Sequence, residues 1–174
     1  MDNFTLFQEA IHSSLHRNEQ GMVIKLDLAN AFDRVRHSFL LNVLSKFGFG
    51  VNFINWIRAC ISEPWIAPLV NGRATDFFKA SRGLRQGCPL SPVLFVIQAS
   101  VLSFLLDKKL QDQDINGLCI ARGVKNINHA LFVDDTLLLG AATLSSATKF
   151  KEVLDDFCEA SGSALNKNKC HIYS

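Results

Sequence analysis

The run from Ala130 to Leu139 is apolar apart from Asp134, Asp135 and Thr136. Ala130-Leu131-Phe132-Val133 and Thr136-Leu137-Leu138-Leu139 read as two strands of a hairpin that begins near Asn128, with the aspartates at its tip. Strands this hydrophobic must be packed on at least one face. Neighbouring carboxylates repel unless a cation or a turn hydrogen bond compensates. Aspartate suits turns because its side chain bonds its own backbone. A two-residue hairpin turn favours Asn-Gly or Asp-Gly, since both central residues need positive φ, and Asp-Asp meets that need poorly. The pair is therefore either a turn device or a cation site, and composition leaves both open.

Asp27 bears on the choice. Met22 to Leu28 alternates as a strand, with Met22, Ile24, Leu26 and Leu28 directed to the core and Val23, Lys25 and Asp27 directed the other way. If this strand lies beside the hairpin, Asp27 converges with Asp134 and Asp135. Hard oxygen ligands suit Mg²⁺, which keeps waters and binds substrate phosphates. Two such ions about 3.5–4 Å apart can hold the attacking and leaving oxygens of an in-line displacement. The chemistry is then positioning plus charge neutralisation and needs no nucleophilic side chain. The sequence offers no convincing Ser-His-Asp or Cys-His arrangement and no glycine-rich phosphate loop of the dinucleotide or triphosphate type.

The remaining pattern predicts an α+β fold. A first helix covers Asp2 to Arg17; Glu9, His12 and His16 share a face there, read as solvated or hydrogen-bonded rather than metal-binding. Phe32, Val35, Phe39, Val43 and Phe47 recur at helical spacing before Gly48, and a further helix spans Asn52 to Ile61. Ile66–Val70 and Arg73–Phe78 flank Asn71-Gly72, a strong hairpin signal. Arg82 to Pro92 is a glycine- and proline-punctuated loop, with Ser91 as N-cap and Pro92 as first residue of a nearly all-apolar, internal helix reaching about Leu110. A strand at Leu118–Ala121 follows. The last helix starts near Thr143, carries Phe150, Val153, Leu154, Phe157 and Cys158 on one stripe, and ends at Gly162, before a short strand from Cys170 to Tyr173. This order suggests an antiparallel sheet backed by helices.

Composition sets outer bounds. The 174 residues fit one domain, and an apolar share of 48% excludes a disordered chain. The net charge of +2 does not by itself announce a polyanionic partner. Arg73, Lys79, Arg82 and Arg85 crowd a stretch whose one acid is Asp76; this reads first as a solvated hairpin face and second as a phosphate surface. Five scattered cysteines without a CxxC pair indicate neither a disulfide framework nor a zinc site and suit an intracellular setting. No secretory signal is visible at the N-terminus. Val93 to Leu106, interrupted by Gln98, Ser100 and Ser103, falls short of the roughly 20 residues of a membrane span.

The ordered motifs add a resemblance. Lys25-Leu26-Asp27-Leu28-Ala29-Asn30-Ala31-Phe32-Asp33-Arg34-Val35, Arg82-Gly83-Leu84-Arg85-Gln86-Gly87-Cys88-Pro89-Leu90-Ser91-Pro92, Phe132-Val133-Asp134-Asp135 and Ser161-Gly162-Ser163-Ala164-Leu165-Asn166-Lys167-Asn168-Lys169 follow one another along the chain. Asp2-Asn3, Gln8 to His12, Asn71-Gly72 and Phe77-Phe78 fall in step with them. The whole resembles the reverse transcriptase domain of non-LTR (LINE-type) retrotransposons, of the kind abundant in plants. The second motif followed by the third at this distance separates it from intron-encoded and retroviral relatives.

The resemblance implies a polymerase palm with part of the fingers: residues 1–21 and about 36–90 as fingers and palm helices and hairpin, residues 22–35 and 91–174 as palm. It implies an RNA-directed DNA polymerase that adds dNTPs to a DNA 3′ end on an RNA template, without a membrane partner, in the nucleus or cytoplasm. Two Mg²⁺ ions, with Mn²⁺ as substitute, would be carried by Asp27, Asp134 and, less directly, Asp135, with the Leu28 carbonyl as a further ligand. Phe32 matches an aromatic gate against a 2′-hydroxyl, a role compatible with membership in the core. Gln86 and Gly87 match residues lining the nascent base pair, Arg85 would meet triphosphate or template, and Lys169 would act as general acid toward pyrophosphate. Asn30 stands where many relatives carry Lys, and Val133 where Ala is usual. A thumb and an endonuclease are expected to be missing, so the chain reads as a fragment or truncated copy; its alternative is a catalytically silent remnant that keeps the fold and at most nucleic-acid binding.

Overall fold

The computed structural model describes residues 20–63, 65–119, 126–132 and 135–173. The first helix with Glu9, His12 and His16, the end of the expected strand at Ala121, and both Val133 and Asp134 lie outside the described residues.

Four strands form the main sheet, in the order β6-β7-β1-β8, each neighbouring pair antiparallel. They are β1 (Gly21–Asp27), β6 (His129–Phe132), β7 (Asp135–Ala141) and β8 (His171–Tyr173). Among the described residues the long helices are α1 (His37–Lys46), α2 (Val51–Ser62), α3 (Leu90–Gln111) and α4 (Leu144–Ser161). Met22, Ile24 and Leu26 on one face of β1 pack with Leu102 and Leu106 of α3 and Phe150, Val153 and Phe157 of α4. This is the two-layer solution for a sheet with one strongly apolar face. The expectation of an antiparallel sheet backed by helices holds.

The other face differs from expectation. Val23 is buried, not solvated, in a small cluster with Leu118, Leu137 and Leu139, because Leu118, bridged to Ile127, packs over this end of the sheet. Toward Lys25 and Asp135 that face opens to solvent, with Asp27 half-buried between them.

Three further boundaries shift. Phe32 and Val35 lie before α1 in a run of turns, since Asp33 and Arg34 N–H groups both turn back to the Asn30 carbonyl. Asn30 takes φ +48°, a left-handed conformation that asparagine tolerates better than most side chains. Ser91 is not a cap: it lies inside α3, and its hydroxyl donates to the Arg85 carbonyl at 2.7 Å. α3 is also not wholly internal. Leu94, Phe95, Gln98 and Leu102 are buried, but Val93, Val96 and Phe104 are more than half exposed, because α4, α1 and the sheet cover only one side of it. By length and composition alone its 22 residues could cross a membrane; its buried side is the spine of the core.

α4 begins and ends where its sequence says. The Thr143 side chain accepts from the Ser146 N–H, and Gly162 closes the helix at φ +83°. A small outlying ribbon completes the fold: β2 (Trp65–Ile66) pairs with β5 (Phe78–Lys79), and β3 (Leu69–Val70) pairs with β4 (Arg73–Ala74) around Asn71-Gly72. Both turn residues have positive φ, as a type I′ hairpin requires.

Candidate active site

The site begins in the register of β1 against β7. Asp27 lies directly opposite Asp135, and Lys25 opposite Leu137. Directly opposed residues of an antiparallel pair share a face, so the two carboxylates project together from the open end of the sheet. Asp135 pairs with Phe132 across the hairpin, which makes Asp135 the first residue of β7. The expected tip at Asp134-Asp135 is thus displaced by one residue: the connection is Val133-Asp134, outside the described residues. Like charges directly opposed destabilise a strand pair. The Lys25 ammonium, 3.8 Å from an Asp135 oxygen, offsets part of that repulsion, though both groups are about half exposed and the pair is weak. A hard cation between two carboxylates offsets it better, and an all-oxygen donor set fits Mg²⁺. Among the described residues no group of three or more potential metal ligands forms, the third aspartate lying outside them.

The segment Ser163 to Tyr173 runs back along the other edge of β1. The Asn166 N–H donates to the Asp27 carbonyl at 2.9 Å, and the Ala29 N–H to the Ala164 carbonyl at 2.8 Å. With these bonds made to one side, the Leu28 N–H and carbonyl face the opposite side, toward β7, by the alternation of a strand. Leu28 pairs with Leu165 and His171 with Lys25, so residues 167–169 are extra relative to β1 and bulge out as a turn near Asp27. Lys169 stands on that turn, exposed, with no side-chain hydrogen bond or ion pair among the described residues.

The loop after the ribbon is strapped onto the chain between β1 and α1. Gly83 N–H donates to the Val35 carbonyl and Leu84 N–H to the Phe32 carbonyl, both at 2.8 Å. Gly83 has φ +90°, and a Cβ there would sit 2.8 Å from the Asp33 carbonyl oxygen. Glycine is required by both conformation and approach. From the other side the buried His37 ring bonds the Gly83 carbonyl at 2.7 Å through Nε2 and the Ser62 hydroxyl at 3.1 Å through Nδ1. This clamp brings Phe32, Arg85, Gln86 and Gly87 to the wall of one cavity of about 590 Å³. Phe32 stacks on Phe95 of α3 at 4.8 Å between centroids, so it is both a core residue and a cavity wall. The Gln86 amide donates to the Asp33 carboxylate at 3.4 Å. Cys88, also in the wall, has its thiol pKa lowered by hydrogen bonding from the Leu90 backbone, against a smaller opposing effect of burial.

Sequence reasoning brought forward Asp27, Asp135, Leu28, Phe32, Arg85, Gln86, Gly87 and Lys169; the structure brings Asp27 and Asp135 together across β1 and β7, and Phe32, Arg85, Gln86 and Gly87 together in the wall of one cavity. Sequence reasoning did not bring forward Asp33, His37, Ser91 or Phe95, which position that wall from below. Each looks like an ordinary surface, cap or core residue until the loop is folded onto it.

The fold with its opposed carboxylates is a polymerase palm. Its backbone superposes on the telomerase of Candida albicans, solved with a fragment of telomeric RNA, with a TM-score of 0.73 at 15% identity, covering 98% of this chain and 29% of that one. The chain belongs to the reverse transcriptase (RNA-dependent DNA polymerase) family, whose sequence model matches residues 2–174. It is 27% identical over 168 residues to a transposon TX1 149 kDa protein of Xenopus laevis, across 97% of this chain and 12% of that protein. It is 30% identical over 148 residues to a Pol polyprotein from the retrotransposable element R2 of Popillia japonica, across 85% of this chain and 23% of that protein. The resemblance to non-LTR retrotransposon proteins is borne out, and the chain spans less than a quarter of the length of these two relatives.

Proposed function

We propose that this chain is the palm of an RNA-directed DNA polymerase, extending a DNA 3′ end on an RNA template with dNTPs. The observation that carries the reading is the direct opposition of Asp27 and Asp135 on the open face of the sheet. Asp27, Asp134 and Asp135 would hold two Mg²⁺ ions, or Mn²⁺ in their place, with the Leu28 carbonyl on the same side of β1. Bound there, the ions would polarise the reacting phosphate and neutralise the charge that develops on it.

The chain's own residues would do the rest. Phe32, stacked on Phe95, would present its ring to the sugar and clash with a 2′-hydroxyl. Gln86 and Gly87, in the same cavity wall as Phe32, would line the nascent base pair, where glycine at 87 would let the backbone approach it closely. Arg85 offers a cation to the triphosphate or the template phosphates. Attack of the 3′-hydroxyl oxygen on the α-phosphorus would form the new P–O bond, release the hydroxyl proton to water and break the bond to pyrophosphate, and Lys169, exposed on its turn, would supply the proton that pyrophosphate takes up.

Primer extension on an RNA template tests this, with the chain joined to the fingers and thumb of a related polymerase. Asp27→Asn and Asp135→Asn should each abolish incorporation while leaving the fold intact. Undiminished incorporation by Asp27→Asn would sink the reading.

A further inference from the structure

We propose that Lys25 is the resident counter-ion of the carboxylate pair. Its ammonium holds Asp135 before a divalent cation binds and competes with that cation for it, so Lys25 sets the cation concentration at which the site fills. The inference deepens the proposed function and rests on its reading of Asp27 and Asp135 as cation ligands.

The strand period of two puts Lys25 on the same face of β1 as Asp27. The register puts Asp135 opposite Asp27, and therefore diagonal to Lys25. Diagonal neighbours across a strand pair lie about 7–8 Å apart, a span that a long side chain crosses. The Lys25 side chain does so, and its Nζ ends 3.8 Å from an Asp135 oxygen. Among the described residues neither Lys25 nor Asp135 makes another ion pair. The residues directly opposite Lys25 are Leu137 on β7 and His171 on β8, and neither is an acid. The ammonium is thus drawn along the sheet toward the carboxylates and not across it.

The looseness of this contact is what the role requires. The two side chains are 45% and 53% exposed, and an ion pair so placed and so long holds weakly. A divalent cation can therefore displace it. An arginine gripping the carboxylate with two parallel hydrogen bonds would resist displacement. Lysine instead brings a single, strongly hydrated charge on a flexible stem, which can withdraw into solvent. Before it withdraws, the Lys25 charge opposes filling in two ways: it occupies an Asp135 oxygen, and it repels the incoming cation. Both effects vanish when the charge is removed. Of the two opposed carboxylates, the one Lys25 pairs with is Asp135, so the competition is for that ligand.

The test is Mn²⁺ binding to this chain, followed through the electron paramagnetic resonance signal of the free ion. Lys25→Met keeps the apolar stem and removes the charge, and it should bind Mn²⁺ several-fold more tightly than the parent. Lys25→Gln should do the same. Lys25→Arg, which keeps the charge, should show no tightening. Lys151→Met removes a charge of the same sign from an exposed ion pair on α4 and should bind Mn²⁺ as the parent does. A double-mutant comparison separates competition for Asp135 from repulsion alone: with Asp135→Asn in place, Lys25→Met should tighten binding much less. Unchanged or weaker binding by Lys25→Met and Lys25→Gln, equal tightening by Lys151→Met, or the same tightening with and without Asp135→Asn would each overturn the proposal. So would the absence of Mn²⁺ binding by both the parent and Lys25→Met. Failure of the underlying reading looks different. If Asp27→Asn binds Mn²⁺ as the parent does, the cation site falls and the counter-ion role falls with it. If Asp27→Asn loses Mn²⁺ while Lys25→Met gains nothing, the counter-ion role alone falls.

Discussion

Asp27 and Asp135 occupy directly opposed positions of β1 and β7, two like charges at the open end of an otherwise apolar strand pair. Without a divalent cation this arrangement costs stability, on the order of 0.5 kcal/mol. Asp135→Asn should therefore stabilise the chain slightly in EDTA, and Mg²⁺ should stabilise the parent more than the variant. Urea unfolding with and without Mg²⁺ measures both; an equal Mg²⁺ effect on the two proteins would remove Asp135 from the metal set.

Gly83 and Gly87 share a positive φ but not a surrounding. A Cβ at Gly83 meets the Asp33 carbonyl oxygen at 2.8 Å, while one at Gly87 meets nothing within 4 Å. Gly87→Ala should cost about 1 kcal/mol from backbone conformation alone. Gly83→Ala should cost at least about 2–3 kcal/mol, because the strap onto Phe32 and Val35 must also shift. Thermal melts of the two variants, compared with Ser81→Ala, decide it.

Phe32 serves packing and, in the proposed reaction, sugar selection, and two substitutions separate them. Phe32→Tyr keeps the ring on Phe95 and should retain both stability and discrimination against ribonucleotides. Phe32→Val should cost about 1–2 kcal/mol and admit ribonucleotides in extension by the joined polymerase. Unchanged discrimination in Phe32→Val would leave Phe32 as a core residue only.

His129 links pH to stability through the sheet. Burial lowers its pKa below the ordinary 6.5, outweighing the opposing pull of Asp107. Its ring lies between the Ser103 hydroxyl and the Asn128 side-chain oxygen. The unfolded chain therefore binds the proton more readily than the folded one. The full contribution of neutral His129 is present above about pH 6.5 and is lost as pH falls through and below it. Asp114, whose pKa is lowered by hydrogen bonds from Lys109 and Lys149, adds its own loss only below its ordinary 3.8. Urea midpoints should fall between pH 7 and 5, and His129→Gln should flatten that fall.

Local chemistry made much of the fold legible in advance. The Asn71-Gly72 hairpin, the Thr143 cap and Gly162 stop of α4, and the alternation of β1 each depend on interactions within a few residues, and each is observed. The misreadings came where distant segments decide. Phe32 and Val35 sit at helical spacing yet precede α1, because the loop at Gly83 and Leu84 takes their carbonyls. Ser91 has the chemistry of a cap, but the Arg85 carbonyl is its partner. Val23 alternates onto a polar face that Leu118 then covers.

The candidate site divides the same way. The donors are written in the primary structure, since carboxylates at the ends of apolar strands, an aromatic residue and a glycine-punctuated loop are properties of residue type and order. Their register comes from packing between distant segments. Strand period is two, so a slip of one residue between β1 and β7 would turn Asp27 and Asp135 to opposite faces. That register is set by burial of Ile24, Leu26 and Leu138 against α3 and α4, and by the return of Ala164 to Asn166 along β1. No stretch of sequence near the aspartates encodes those contacts.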